Sequence, residues 1–384
     1  MTIQNLTIQD FDEGIYLQDS SDLYIYNNTI ADNEWGIILD SSSNSILSGN
    51  TFTKCGLYVW DSYNNTVENN TVNGKPLVYL EGVSEYIVSE DAGQVILVNC
   101  DNIRVENQYI SNTTVGVELW NTNNSVISNN NFYNNYYGIA LESSSYNIVS
   151  ANTIPNNEVA IGLTYSSNNT ISNNVIQNND DGIDLDSSSN NTISGNVLTN
   201  NHWGIDFDYS SYKTITANDI IENNWRGIYL YESSYNLIYH NNFIDNTHQV
   251  LTYNSINTWD NGYPSGGNYW SDYTGEDSDG DGIGDTLYEI DNNNKDNYPL
   301  MSPYIPLPAL PGCKNSPRDL NNDGLYEDVN GNNKLDPNDV IVLYRNMNWI
   351  KQNGYEKYFD FNGNGRLDYN DIIRLLCYVI FSSL

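Results

Sequence analysis

Every twenty-two residues or so the chain repeats one pattern: a turn, a Gly followed by alternating apolar residues, a Ser/Asn-rich turn, then a short strand ending in Asn-x-apolar. GIYL at Gly14, GIIL at Gly36, GLYV at Gly56, GVEL at Gly116, GIAL at Gly138, AIGL at Ala160, GIDL at Gly182, GIDF at Gly204 and GIYL at Gly227 mark the period, with spacings of 22, 20, 60, 22, 22, 22, 22 and 23. The gap of 60 fits three shortened turns, carried by PLVYL from Pro76 and QVILV from Gln94. A repeat this short cannot bury an apolar face alone and must stack on its neighbours. A leucine-rich repeat has a similar period, but its L-x-x-L-x-L-x-x-N pattern and helix formers are missing. In GIDLD, Ile183 and Leu185 alternate with Asp184 and Asp186, which is strand patterning with one face buried. The expected fold over residues 1–256 is therefore an all-β parallel β-helix of about twelve coils of ~22 residues.

A second column supports this register. Asn28, Asn50, Asn70, Asn130, Asn152, Asn174, Asn196, Asn218 and Asn241 each follow their anchor by 14 residues. Inward Asn at one corner can hydrogen-bond to its equivalent one coil up and down, as amide ladders do in stacked strands. Gln108 keeps the amide in an irregular coil, whereas Ser188 is expected on an outer turn.

The chain carries 14 Lys and Arg against 49 Asp and Glu, a net charge of −35. Phosphate recognition needs a basic footprint, so nucleic acid is excluded as a partner. No apolar run approaches the ~20 residues of a membrane span, and no basic and apolar export signal opens the chain. Four Cys do not make a disulfide scaffold at this length; Cys313 and Cys377 either clasp the C-terminal module or stay thiols. Sequons such as Asn27, Asn169 and Asn191 are explained by turn chemistry.

Near residue 255 the repeat gives way to NTWDNGYPSGGNYWSDY, whose aromatics and turns suit a cap over the open end of the helix. DSDGDGIGD follows, with Asp277, Asp279, Asp281 and Asp285 at loop positions 1, 3, 5 and 9. Alternating oxygen ligands with Gly at the bend are what a hard divalent cation requires. SPYIPLPALPG, residues 302–312, reads as a stiff extended spacer. Two further calcium-type loops come after it. Asp328, Asn330, Asn332, Asp336 and Asp339 take positions 1, 3, 5, 9 and 12, and Asp360, Asn362, Asn364, Asp368 and Asp371 repeat them 32 residues on. Asn333 stands where Gly usually turns, and Asn at both fifth positions lowers ligand charge. Upstream, Asp319, Asn321 and Asp323 either hold another ion or form a turn.

The Asn-laddered repeats with NTWDNG, GNYWSDY, DSDGDGIGD and NYPLM resemble the NosD-type, carbohydrate-binding and sugar-hydrolase family of right-handed β-helices, over roughly residues 1–301. The resemblance implies a right-handed helix, with a cap over residues 257–301. A copper role does not carry over, because His202, His240, His248 and three scattered Met do not cluster. Residues 313–384 resemble a dockerin, which implies secretion to the cell surface, bound Ca2+ and a cohesin partner. By that resemblance, cohesin contact falls on Pro337, Asn338, Tyr369 and Asn370.

If Ile183 and Leu185 point inward, the residues between and after them point out and stack coil upon coil. Asp184, Asp186, Asp206 and Asp208 then form a square on two successive coils, beside a low floor at Ala140 and Gly162. Trp120, Trp203, Trp225, Tyr229 and Tyr231 flank it, an arrangement suited to neutral sugars whose apolar faces stack on rings. Binding of a glycan by a monomer is expected. Two carboxylates are the minimum for glycoside cleavage, and their diagonal spacing favours inversion. An exposed sheet kept soluble by Asp and Tyr, in a structural or adhesive rod, is the alternative.

Overall fold

The computed structural model describes residues 1–321 and 323–382. A β-solenoid of about 11 turns is followed by two helices, Pro337–Gln352 and Tyr369–Ser382. Residues 383 and 384 of the expected C-terminal module lie outside the described residues. Each regular coil contributes three short strands that pair in parallel with those above and below; Asp181–Asp186, for instance, sets Ile183 against Ile205 and Leu185 against Phe207. These apolar residues are fully buried, which is the expected register.

Corners are held by amide ladders. Asn174 Oδ1 accepts the Asn152 backbone N–H and Nδ2 (both 3.0 Å), while its own Nδ2 donates to the Val149 carbonyl (3.0 Å) and to Asn196 Oδ1 (2.9 Å). The ladder runs from Gln108 through Asn241 to Asn268 and ends on Asp296, both in the cap. The corners bearing Asn169 and Ser188 are ladders as well. Ser188 is not on an outer turn: it is fully buried, its Oγ accepting the Ser166 N–H (2.8 Å) and donating to the Leu163 carbonyl (3.1 Å). A small hydroxyl at a tight corner satisfies the backbone there as the amide does at a wider one. In the Asn ladder of Asn169 and Asn191, Lys213 takes one rung, buried, with its ammonium 4.4 Å from the centre of the Phe207 ring.

The repeats do not form one continuous stack. Within the gap of 60 the chain makes three turns, of which the last is not shortened, since Val95 pairs with Val117 at the full 22-residue step. Asn73 and Gly74, at φ 51° and 80°, close a two-residue hairpin that turns Lys75–Glu81 back antiparallel on Thr71–Val72. Positive φ at both residues is the geometry of the hairpin turn that Asn-Gly favours. The sheet Glu13–Gln18, Trp35–Asp40, Leu57–Trp60 therefore ends at its third strand. That free edge is satisfied by side chains of the second stack: Thr114 Oγ1, Gln94 Oε1 and Glu118 Oε1 accept the N–H groups of Gly56, Leu57 and Val59 at 2.9–3.0 Å. Capping of this kind disposes of an open sheet edge. The cost falls on the outer face of the second stack, where Ile96, Val98 and Trp120 join the apolar cluster of the first.

Beyond residue 256 the cap seats Trp259 and Trp270 over the last coils, with Trp270 stacked on Phe243 at 4.3 Å. Residues 302–312 are not a free spacer. Tyr304 stacks on His240 (4.2 Å) and pairs through its backbone with the Asn242 side chain, while Leu307 and Leu310 are buried in the core of the helical module. Their apolar side chains outweigh the stiffness that Pro confers. All four Cys are free thiols, so the clasp between Cys313 and Cys377 is not formed.

Candidate functional site

The square of aspartates exists as the repeat predicts. Asp184 pairs in register with Asp206 and Asp186 with Asp208, and half-burial of all four places them on the outer face. Adjacent strands are ~4.8 Å apart, so each row brings like charges close together. The rows differ in environment. Burial, reinforced by the charges of Asp181, Asp208 and Asp186, pushes Asp184 up to about 7. Burial and the neighbouring Asp184, Asp208 and Asp181 push Asp206 up to about 8, although Arg226 opposes the shift. Asp208 is raised too, by burial and then Asp186. The inner row thus holds protons near neutral pH.

The walls depart from expectation. The low floor is filled: a side chain at Gly162 would meet the Tyr137 ring at 3.0 Å, and Ala140 is buried. Tyr137, Tyr136, Trp35 and Tyr58 form an aromatic wall between the stacks, with Trp35 at 4.7 Å from Tyr136 and 5.0 Å from Tyr58. Trp120 is not available to a ligand. It is 6% exposed and packs on Trp60 at 5.3 Å, because the first stack lies over it. Trp203, Trp225, Tyr229 and Tyr231 do line the open side, and the Arg226 guanidinium lies 4.5 Å from the ring centres of both Trp203 and Tyr229.

Around the wall opens a cleft of about 860 Å3, lined by Asp32, Glu34 and Lys54 of the first stack and by Asn112, Asn134, Asn156 and Asn178 on four successive coils of the second. Tyr136, Glu158 and Asp180 complete it, and the charges of Asp180 and Glu158 act on neighbouring Asp181. The cleft arises from the hairpin and leaves no trace in the repeat. The Val72-Asn73-Gly74-Lys75 motif between strand-like runs was the signal that could have found it.

The calcium-type loops share one construction. Asp277, Asp319, Asp328 and Asp360, each at position 1, accept the N–H at position 6, from Gly282, Gly324, Asn333 and Gly365. Asn333 adopts φ 65°, filling the role of Gly. Asp339 and Asp371 at position 12 each accept from the Asn at position 3 and from the N–H at position 9. Asn332 and Asn364 bond to Asp336 and Asp368. Oxygen atoms of Asp277, Asp279 and Asp281 converge within 4.8 Å, whereas Asp285 turns to bond the Ser278 N–H. Asp319 and Asp323 converge with Glu327, a buried residue at position 9 outside the predicted ligand set. Asn321 donates to Glu327 (2.7 Å). Pro337, Asn338, Tyr369 and Asn370 are exposed on the first turns of the two helices.

Residues 79–275, just over half of the chain, match the family described as periplasmic copper-binding protein (NosD). The chain belongs to the NosD family. Residues 1–91 match the right-handed β-helix region and residues 326–379 the dockerin type I domain. Curated proteins yield no match. Among solved structures the chain is similar to the periplasmic alginate epimerase AlgG, at 16% identity over 64% of this chain and 65% of that one, with a TM-score of 0.41. It is also similar to a mannuronan C-5 epimerase A-module from Azotobacter vinelandii (11%, 67% and 91%, 0.35) and to DFA-IIIase from Arthrobacter chlorophenolicus (11%, 65% and 66%, 0.36). The chain spans just under two thirds of the AlgG structure, and these likenesses are of fold alone. Copper does not suit this NosD-family chain. Among the described residues the convergent groups are carboxylates, which favour hard cations, while half-buried His240 stacks on Tyr304 and donates from Nε2 to the Ser265 carbonyl.

Proposed function

We propose that the protein is an extracellular carbohydrate-binding β-helix, anchored to a cohesin-bearing partner by a calcium-dependent dockerin. The observation that carries the glycan reading is the Asp184–Asp206 row, half-buried at the foot of an aromatic wall, open on one side to Trp203, Tyr229 and Tyr231. Rings offer stacking faces and carboxyls bond hydroxyls, while the net charge of −35 repels acidic glycans. The same square supports acid–base cleavage. A protonated inner carboxyl, Asp184 or Asp206, would give its proton to the glycosidic oxygen, and Asp208 or Asp186 on the diagonal would activate water; a diagonal of roughly 8 Å fits inversion.

Dockerin function rests on the duplicated loops. Asp328, Asn330, Asn332, Asp336 and Asp339, with Asp360, Asn362, Asn364, Asp368 and Asp371, would hold two calcium ions, and the Asp277 and Asp319 loops would hold others. The test is titration of soluble neutral oligosaccharides, followed by assay for reducing ends. Asp184→Asn and Asp208→Asn should abolish cleavage while binding persists. Binding without any cleavage by the wild type would remove the hydrolytic step; absence of binding across neutral glycans would leave the solenoid as a rod.

A further inference from the structure

At the corner following the outward aspartates, two turn positions in each coil take left-handed backbone. The coil of Asp184 fills them with Ser187 and Asn190, at φ 51° and 59°. The next coil fills them with Tyr209 (φ 49°) and Tyr212 (φ 61°), and the one after carries Tyr235 (φ 60°) at the second position. Left-handed backbone favours Gly, Asn and Asp and disfavours bulky side chains. These tyrosines gain little in return from burial: Tyr209, Tyr212 and Tyr235 are 58%, 60% and 68% exposed. A residue held in disfavoured backbone without burying its ring is poorly explained by packing.

The rings are ordered along the solenoid axis. Tyr212 and Tyr235 stack face to face at 5.3 Å and 11°, Tyr231 and Tyr253 at 5.1 Å and 6°, and Tyr209 meets Tyr231 edge-on at 5.4 Å. Together they make a ridge over three coils, with Ile256 exposed beside Tyr235 at its end. The step between rings is close to the length of one pyranose unit along a chain. Tyr231 stands beside Asp208 in register, so the ridge is continuous with the acidic square. The nearby charges are Asp208 and Glu232, both acidic, which disfavours an anionic ligand.

We propose that this ridge is a second glycan-binding surface, which lays an extended neutral polysaccharide along Tyr212 and Tyr235 and past Tyr209, Tyr231 and Tyr253 toward the aspartates. It rests on the carbohydrate reading given above and adds the substrate class, a long or insoluble neutral chain rather than a short soluble sugar. The exposed rims of the stacked rings pack against the apolar C–H surfaces of successive units.

The test is depletion of the full-length, calcium-loaded protein by suspensions of cellulose, xylan and mannan, with calcium pectate gel as the acidic comparison. Wild type should be retained on at least one neutral polymer and not on pectate. Tyr212→Asn with Tyr235→Asn restores a residue suited to the backbone, so the thermal unfolding midpoint should hold or rise while retention weakens at least tenfold. Binding of soluble oligosaccharide should be unchanged in that variant. Asp184→Asn with Asp206→Asn should keep retention, which separates failure of the ridge from failure of the acidic groove. The ridge is overturned by wild type that binds none of the three neutral polymers or prefers pectate, by undiminished retention in the double Tyr variant, or by retention lost in the Asp variant. A lowered unfolding midpoint in the Tyr variant would also overturn it, by assigning the rings to holding coils together.

Discussion

Replacing Asn174 with Leu tests the ladder on which the coil geometry depends. The side chain accepts the Asn152 N–H and supplies a donor to the Val149 carbonyl, both fully buried contacts, and it bridges to the amides of Asn152 and Asn196. Leu is similar in size but offers none of these groups. Two buried backbone groups lose their bonds at about 1–3 kcal/mol each, so the loss is about 2–6 kcal/mol, lessened by what the apolar replacement gains. Ser188→Ala removes an acceptor from one buried N–H and should cost about 1–3 kcal/mol. Ser172→Ala, half-buried and facing outward on the strand Thr170–Ser172, should stay within about 0.5 kcal/mol. Denaturant unfolding of the full chain, followed by tryptophan fluorescence, measures all three. If Asn174→Leu costs no more than Ser172→Ala, the amides are not holding the coils and the reasoning fails.

Calcium is expected to fold the helical module, because its loops gather carboxylates that repel one another when no cation is bound; chelation should strip helical circular dichroism from residues 313–384, and Asp328→Ala with Asp360→Ala should abolish cohesin capture while leaving the solenoid intact. The junction between stacks should weaken at alkaline pH. Burial holds the Glu142 carboxyl at about 8 against an ordinary 4.5, and burial plus Glu142 raises Glu118 as well. Stability from Glu142 is therefore complete below about pH 4.5 and is lost as pH rises through about 8. Glu142→Gln should flatten the fall in unfolding midpoint between pH 6 and 9; an equally steep fall would place the titration elsewhere. Lys213→Asn should raise stability by about 1–3 kcal/mol, since it restores the ladder amide and removes a buried ammonium whose pKa burial depresses. A destabilised Lys213→Asn would mean that the contact with Phe207 outweighs that cost.

The coil register was legible because it is a local property repeated many times: Gly182, Ile183 and Leu185 recur at fixed spacing, and stacking imposes one solution on all of them. The calcium loops were legible for a similar reason, as alternate oxygen ligands in a single short segment need no tertiary knowledge; Glu327, at position 9 of the upstream loop, lies beyond the Asp319, Asn321 and Asp323 motif and is brought to it by the fold. Trp120, the filled floor at Gly162 and the cleft were not legible from the columns. They follow from contacts between segments 37 to 59 residues apart in sequence, in which Gln94, Thr114 and Glu118 take over the hydrogen bonds of a strand edge. A column reading treats every coil as equivalent and places Glu118 and Asp184 on the same open face. One Asn-Gly turn makes them different, burying Glu118 as a structural acceptor and leaving Asp184 half-buried on the outer face. The hairpin at Asn73 and Gly74 therefore sets which outward carboxylates are covered by the first stack and which are not, although neither residue comes near them in sequence.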